Sequence, residues 1–236
     1  MKKSADAGKR QEPRPGGRTR ASGLSIMSGG RLIGPRLQSM QREPFEERSR
    51  LASTRLAEAA GQAGLLDVAY GYADSPFGPL LVAVTPRGLA RVAYPERDEE
   101  ETLERLAVEI SPRILESGSA TGQIRRELEE YFEGRRKVFS IGVDLSAVRG
   151  FGREVLRQTA RIPFGSVATY RDMATRAGSP RATRAAGNAL GANPIPIVVP
   201  CHRVVRTGGG LGGYTGGVER KVALLELEGV ELPGRA

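Results

Sequence analysis

Between residues 67 and 94, three short, mostly apolar runs, 67–73, 78–84 and 88–94, are split by polar turn residues. Runs of that length between turn signals predict strands. Ser75-Pro76-Phe77-Gly78 and Thr85-Pro86-Arg87-Gly88 separate the runs, with Pro where φ is fixed and Gly where it must be free, so the three strands should form an antiparallel meander. A period of 3.6 then sets in. Helices are expected over 98–110, whose first turn carries Glu99, Glu100 and Glu101 where the helix dipole favours acids, and over 121–134. A further strand is expected at 139–143. Upstream, Leu51, Leu56, Ala59 and Ala60 mark a short helix or linker over 49–66, ending near Gly61 or Gly64.

Past residue 145 the pattern changes. Phe151, Val155, Leu156 and Ala160 predict a helix over 150–161, stopped by Ile162-Pro163-Phe164-Gly165. Two short helices should follow, 169–177 and 181–190, joined by Gly178-Ser179-Pro180. Such a pair is the helix-turn-helix pattern, and it would set Arg181 and Arg184 on one face. A strand-like run at 195–199, a glycine-rich hairpin at 208–217 that would serve as a wing, and a last helix over 218–228 complete the prediction. The fold class expected is an α/β domain over 67–145 followed by a mainly α, winged-helix-like domain over 146–236. Residues 1–48 show no sustained period and are rich in Gly, Pro, Ser and Arg, the signature of a disordered basic tail.

Charge sharpens this division. The net charge of +9 is made of +7 in residues 1–50, −4 in 51–140 and +6 in 141–236. A basic block carrying a helix pair suits DNA, although +6 on one domain is equally a solvated surface. A single Cys and a single His exclude an intrachain disulfide and a zinc site built from those residues, so no metal is expected. With no bilayer-length apolar run and no apolar leader, a cytoplasmic protein is expected.

The one cysteine and the one histidine are neighbours, Cys201-His202, within Pro200-Cys201-His202-Arg203-Val204-Val205. Chance adjacency is on the order of 1%. Adjacent side chains diverge, so a bridging water is the natural link by which imidazole would take the thiol proton. Arg203 adds positive potential or pairs with a carboxylate. Protease-type catalysis fits poorly, because it draws its base from a distant histidine and none exists. A thiolate acting on nucleic acid fits better.

That hexapeptide, with Asn193-Pro194 before it and Gly213-Tyr214-Thr215-Gly216-Gly217 after it, resembles the O6-alkylguanine-DNA alkyltransferase family, whose members are methylated-DNA–protein-cysteine methyltransferases. The run from Ser75 to Pro95 resembles the family's N-terminal domain. The resemblance implies a ribonuclease-H-like domain packed on a winged-helix DNA-binding domain. It implies repair of O6-alkylguanine in double-stranded DNA by irreversible transfer of the alkyl group to Cys201, with no cofactor and no membrane partner, and a monomer. His202 would draw off the thiol proton, Glu228 would orient His202, and Asn193 would shape the turn beside the nucleophile. Tyr170 would crowd the target phosphate and help guanine leave, Arg184 would fill the gap left by a flipped base, and Tyr214 would line the pocket. Arg181 and Arg203 are further DNA-contact candidates. As bare residues, Glu228 reads as a solvated last-turn glutamate and Asn193 as a helix C-cap. The rivals are a lesion sensor without transfer, which lacks the acceptor cysteine, and a winged-helix regulator, which leaves the Cys-His pair unexplained.

Overall fold

The computed structural model describes residues 47–231 other than 50, 54, 57, 58, 62, 63 and 97, so the tail expected over 1–48 lies almost wholly outside the described residues. The described residues between 47 and 61 are helical and almost all exposed.

The meander is present. Strands β1 (Val68–Ala73), β2 (Leu80–Thr85) and β3 (Gly88–Ala93) pair antiparallel in sequence order. A fourth strand, β4 (Ile114–Glu116), pairs parallel to β1 and gives the order β3-β2-β1-β4. Three residues are too short a run to stand out, which is why the sequence pattern passes over β4. One sheet face carries Val68, Leu81, Ala83 and Ala93 against Leu106 of helix α1 (Glu99–Glu109). Asp98 caps that helix by accepting from the Glu100 N–H. The other face carries Leu80, Val82, Leu89 and Val92 against Ile124, Leu128 and Tyr131 of α2 (Gly122–Phe132).

The strand expected at 139–143 does not form. The buried Glu127 carboxylate takes the Ser140 N–H at 2.8 Å, the Ile141 N–H at 3.3 Å and the Ser140 hydroxyl at 2.5 Å. Those donors are spent on a side chain, and only Val143 bridges Leu89.

The second half packs α3 (Gly150–Thr159), α4 (Tyr170–Arg176), α5 (Thr183–Gly191) and α6 (Val218–Leu227) into the same apolar core as the inner sheet face. Helix α4 starts on a capping box in which Thr169 accepts from the Asp172 N–H and Asp172 accepts from the Thr169 N–H. Just before it, the two-residue strand β5 (Ala168–Thr169) pairs parallel with β6 (Val204–Val205). A 3-10 turn, Cys201–Arg203, precedes β6. This short parallel pair sets the start of α4 beside the Cys-His turn.

Three expectations are corrected. Residues 195–199 are a turn, because Pro194 and Pro196 cannot donate to a ladder and the remaining donors bond locally: Ile195 N–H to Asn193 Oδ1, Val198 N–H to Pro196 and Val199 N–H to Ile195. Ile197 is forced to φ +74° there, a costly conformation for a β-branched residue. Residues 208–217, expected as a hairpin, hold no strand and lie in a loop, closed by the Arg206 N–H on the Gly210 carbonyl at 2.7 Å. Finally, Arg181 sits in the turn before α5, so it shares no helical face with Arg184. Among the described residues no helix is long and apolar enough to cross a membrane.

Candidate active site

Cys201 begins the 3-10 turn and is buried, yet its side chain lines a cleft of about 770 Å³. Asn193 fixes it from the side. The Asn193 amide donates to the Val199 carbonyl at 2.8 Å and to Cys201 Sγ at 3.1 Å, while its oxygen receives the Ile195 N–H. All three contacts come from a residue that local pattern alone reads as a helix cap. Burial outweighs the amide donor and pushes the thiol up to about 11. At pH 7 only about one chain in ten thousand would then hold a thiolate unaided. Any nucleophilic use of this sulfur needs a proton acceptor.

His202 points the other way, into the protein, and is fully buried. Its Nε2 lies 2.8 Å from Glu228 Oε1. Glu228 also accepts the Tyr131 hydroxyl at 2.7 Å, Arg203 Nε and Nη2 at 2.8 Å each, and the Gly165 N–H at 3.4 Å. So many donors overcome burial and hold its carboxyl down at about 2. An ionised Glu228 takes the proton on Nε2, which leaves Nδ1 of neutral His202 as the free lone pair. Nδ1 has no protein partner among the described residues. Burial, with Arg203 and Lys221 nearby, lowers the imidazole's proton affinity, and Glu228 opposes that. The result is a neutral base backed by a carboxylate that can stabilise its protonated form.

The cleft walls come from three elements. Tyr170 opens α4, Arg184 and Gly187 lie on α5, and Arg206, Gly213, Tyr214 and Thr215 belong to the glycine-rich loop. Tyr170 donates to the Gly213 carbonyl at 3.3 Å, and Tyr214 meets the Tyr94 hydroxyl at 2.7 Å. Gly216 is closely enclosed by two rings. A Cβ there would fall 2.6 Å from the Tyr94 ring and 2.9 Å from that of Tyr214. Behind the wall, buried Lys221 donates to the Val204 and Leu211 carbonyls, and desolvation pulls its ammonium down to about 8.

Of the sequence-derived site residues, the structure gathers Cys201, Tyr170, Tyr214 and Arg184 around one cleft, with Asn193 against the thiol and His202 and Glu228 in a network beneath it. Arg181 does not line the cleft. Arg203 is corrected from a DNA contact to an internal support, since it is buried, grips Glu228 with two nitrogens and donates to the Ile162 carbonyl. Glu228 is not a solvated glutamate. The α/β domain contributes as well, because Tyr131 bonds Glu228 and Tyr94 bonds Tyr214. Lys221 was overlooked as well. Its signal was a helical stripe, Lys221, Leu224, Leu225 and Glu228, with a charge at each end.

A buried sulfur on an open cleft, with an imidazole–carboxylate pair in the adjoining turn, is the arrangement of a protein built around a nucleophilic cysteine. The comparisons specify which kind. Residues 68–145 match the model of the 6-O-methylguanine DNA methyltransferase ribonuclease-like domain, and residues 150–230 match that of the DNA binding domain of the same proteins. A Mycobacterium tuberculosis methylated-DNA–protein-cysteine methyltransferase is 39% identical over 164 residues, spanning 70% of this chain and 94% of its own. The inducible Bacillus subtilis protein of that name is 37% identical over 148 residues, 62% of this chain and 82% of its own. The crystal structure of the M. tuberculosis O6-methylguanine methyltransferase superposes with a TM-score of 0.59 at 36% identity, covering 71% of this chain and 96% of that one. The M. tuberculosis protein has also been solved in complex with DNA, and that structure matches at a TM-score of 0.57 and 35% identity, covering 70% and 96%. The chain belongs to the O6-methylguanine-DNA methyltransferase family.

Proposed function

We propose that this protein repairs O6-alkylguanine in duplex DNA by moving the alkyl group onto Cys201, once per chain. One observation carries the reading. The chain's only thiol is tethered by Asn193 on the floor of a cleft wide enough for a nucleobase, with a His202–Glu228 relay in the adjoining turn.

The chemistry follows from the geometry. A base stacked in a duplex cannot reach a thiol at the bottom of a cleft, so it must be flipped, at a cost of a few kcal/mol. Helices α4 and α5 act as the helix-turn-helix and the 206–217 loop as the wing, and Arg184 at the cleft mouth fills the vacated stack. The thiol proton passes through a water to Nδ1 of His202, and Glu228 stabilises the imidazolium. The sulfur attacks the carbon bonded to guanine O6. A C–S bond forms as the C–O bond breaks, and its electron pair leaves on guanine. Tyr170, whose phenol is held protonated by burial, supplies the proton that makes guanine a neutral leaving group and regains it from the relay. The net change moves one proton from sulfur to guanine and one alkyl group from oxygen to sulfur. The thioether left behind carries no leaving group, so the chain is spent.

Incubation with a duplex bearing one O6-methylguanine should add about 14 Da to the intact protein, on Cys201 and never twice. Tight lesion binding with unchanged mass would make it a sensor and end this reading.

A further inference from the structure

The α/β domain carries none of the groups that meet the substrate, yet its Tyr131 hydroxyl sits 2.7 Å from Glu228 Oε1, the oxygen that also faces His202 Nε2. The two residues are 97 positions apart and both are buried. Tyr131 is wedged among Phe132, Phe139 and Phe164, with ring centroids 5.4, 5.4 and 6.2 Å away, so its hydroxyl has little freedom to aim elsewhere. We infer that Tyr131 is a positioning residue for alkyl transfer. Its phenol locks Glu228 under His202 and shares the oxygen on which the imidazolium depends, so that the N-terminal domain sets the strength of the base. The inference deepens the proposed function and rests on its assignment of His202 as the proton acceptor.

The groups facing the relay fix the direction of the effect. Glu228 receives His202 and Arg203 from the 3-10 turn, Tyr131 from α2 and the Gly165 N–H from the loop after α3. His202 is faced by Glu228, by Arg203, by Lys221 of α6 and by the edge of Tyr214 at 6.4 Å. Arg203 and Lys221 oppose a charge on the imidazole, and Glu228 favours it. Burial beside Glu228 keeps the Tyr131 phenol protonated far above the usual tyrosine range, so it is always a donor. Removing that donor concentrates carboxylate charge on Oε1 and holds a proton on His202 more tightly. A base that must be neutral to act would then need a higher pH.

The test is the single-turnover transfer rate of the full chain on an O6-methylguanine duplex, measured across pH. For Tyr131→Phe, which keeps the ring, the acid limb should move up by about one pH unit, a roughly tenfold loss at the foot of the limb, with the plateau within about threefold of native. Incorporation of 3-fluorotyrosine at 131, a stronger donor of almost the same shape, should move the limb the other way. Leu106→Ala, on the far face of the sheet, should lower Tm and leave the limb in place. A Tyr131→Phe limb superposed on the native one would reduce Tyr131 to a packing residue and overturn the inference. If that variant does not fold, an unmoved limb in the fluorinated protein overturns it as well. A native acid limb that survives His202→Gln would instead remove the relay reading, and this inference with it.

Discussion

Each half of the molecule buries a glutamate, and the two are used differently. Glu127, in the α/β half, accepts the Ser140 and Ile141 N–H groups, the Ser140 hydroxyl and the Gln123 amide, all within 14 residues along the chain. It staples a loop. Glu228, in the helical half, accepts from His202, Arg203 and Tyr131, which lie 25 to 97 residues away, and only weakly from a backbone N–H. Both carboxyls are held below the ordinary glutamate range by their donors. A low proton affinity therefore does not separate a structural carboxylate from a working one. What separates them is the donor set: nearby backbone, hydroxyl and amide groups around one, with Arg136 no closer than 3.8 Å, and a titratable ring with a doubly hydrogen-bonded Arg203 around the other.

Two exposed arginines give a second contrast. In the α/β half Arg113 pairs with Asp67 at 2.7 Å. Arg184, at the cleft mouth, has no carboxylate partner among the described residues. A cation left without a partner is available to a ligand.

Replacing the two glutamates in turn would break the comparison most forcefully. Glu228→Gln should cut transfer about a thousandfold. It should also destabilise the fold by about 3–5 kcal/mol, because Arg203 is left as a buried, uncompensated cation. Glu127→Gln should cost about 1–3 kcal/mol and leave the transfer rate of the folded protein unchanged. Denaturant midpoints and single-turnover rates, taken together, check both. If Glu127→Gln slowed transfer as much as Glu228→Gln, the distinction between staple and relay would collapse.

The arginines give the next largest effect. Arg184→Ala should slow repair in duplex DNA about tenfold while leaving reaction with the free alkylated base alone, since only the duplex needs a base flipped and replaced. Arg113→Ala, which breaks a pair with Asp67, should change neither. Gly216→Ala should be milder. Pushing the Tyr94 and Tyr214 rings apart narrows the cleft and should slow methyl transfer a few-fold, and bulkier alkyl groups more.

A separate effect is on stability against pH. Because folding lowers the Glu228 carboxyl from 4.5 to about 2, its contribution is complete above about pH 4.5 and is lost as the pH falls toward 2. The native protein should lose Tm over that interval more steeply than Glu228→Gln. Parallel Tm curves would mean that Glu228 is equally well solvated in the unfolded chain.

Much of this was legible from sequence, and the failures share a cause. The three-strand meander followed from apolar runs between turn residues and the helices from periodicity, because both are local properties of the chain. The thiol and imidazole stood out by adjacency, and the family resemblance attached roles to them. Two stripes at helical spacing, Ile124-Glu127-Leu128-Tyr131 and Lys221-Leu224-Leu225-Glu228, showed which faces point inward. They did not show that a phenol on the first would meet a carboxylate on the second, which depends on how two domains pack. The same limit hid the fate of residues 139–143 and 195–199. There side chains and prolines, rather than strand propensity, decide where the backbone donors go.

The outer edge of the meander has a consequence of another kind. Strand β3 is the last in its sheet, and an unpaired edge is a template on which a second chain can add and aggregate. It is not left open. Leu89 donates to the Gly142 carbonyl at 2.8 Å and accepts from the Asp144 N–H at 2.7 Å, and Val92 donates to the Pro194 carbonyl at 2.9 Å. The connection between the domains and the turn that carries Asn193 thus seal the sheet, and β4 at the opposite edge is only three residues long. The segment that holds the nucleophile's partner also covers this edge, so substitutions that loosen the 193–197 turn should surface first as aggregation on storage or heating.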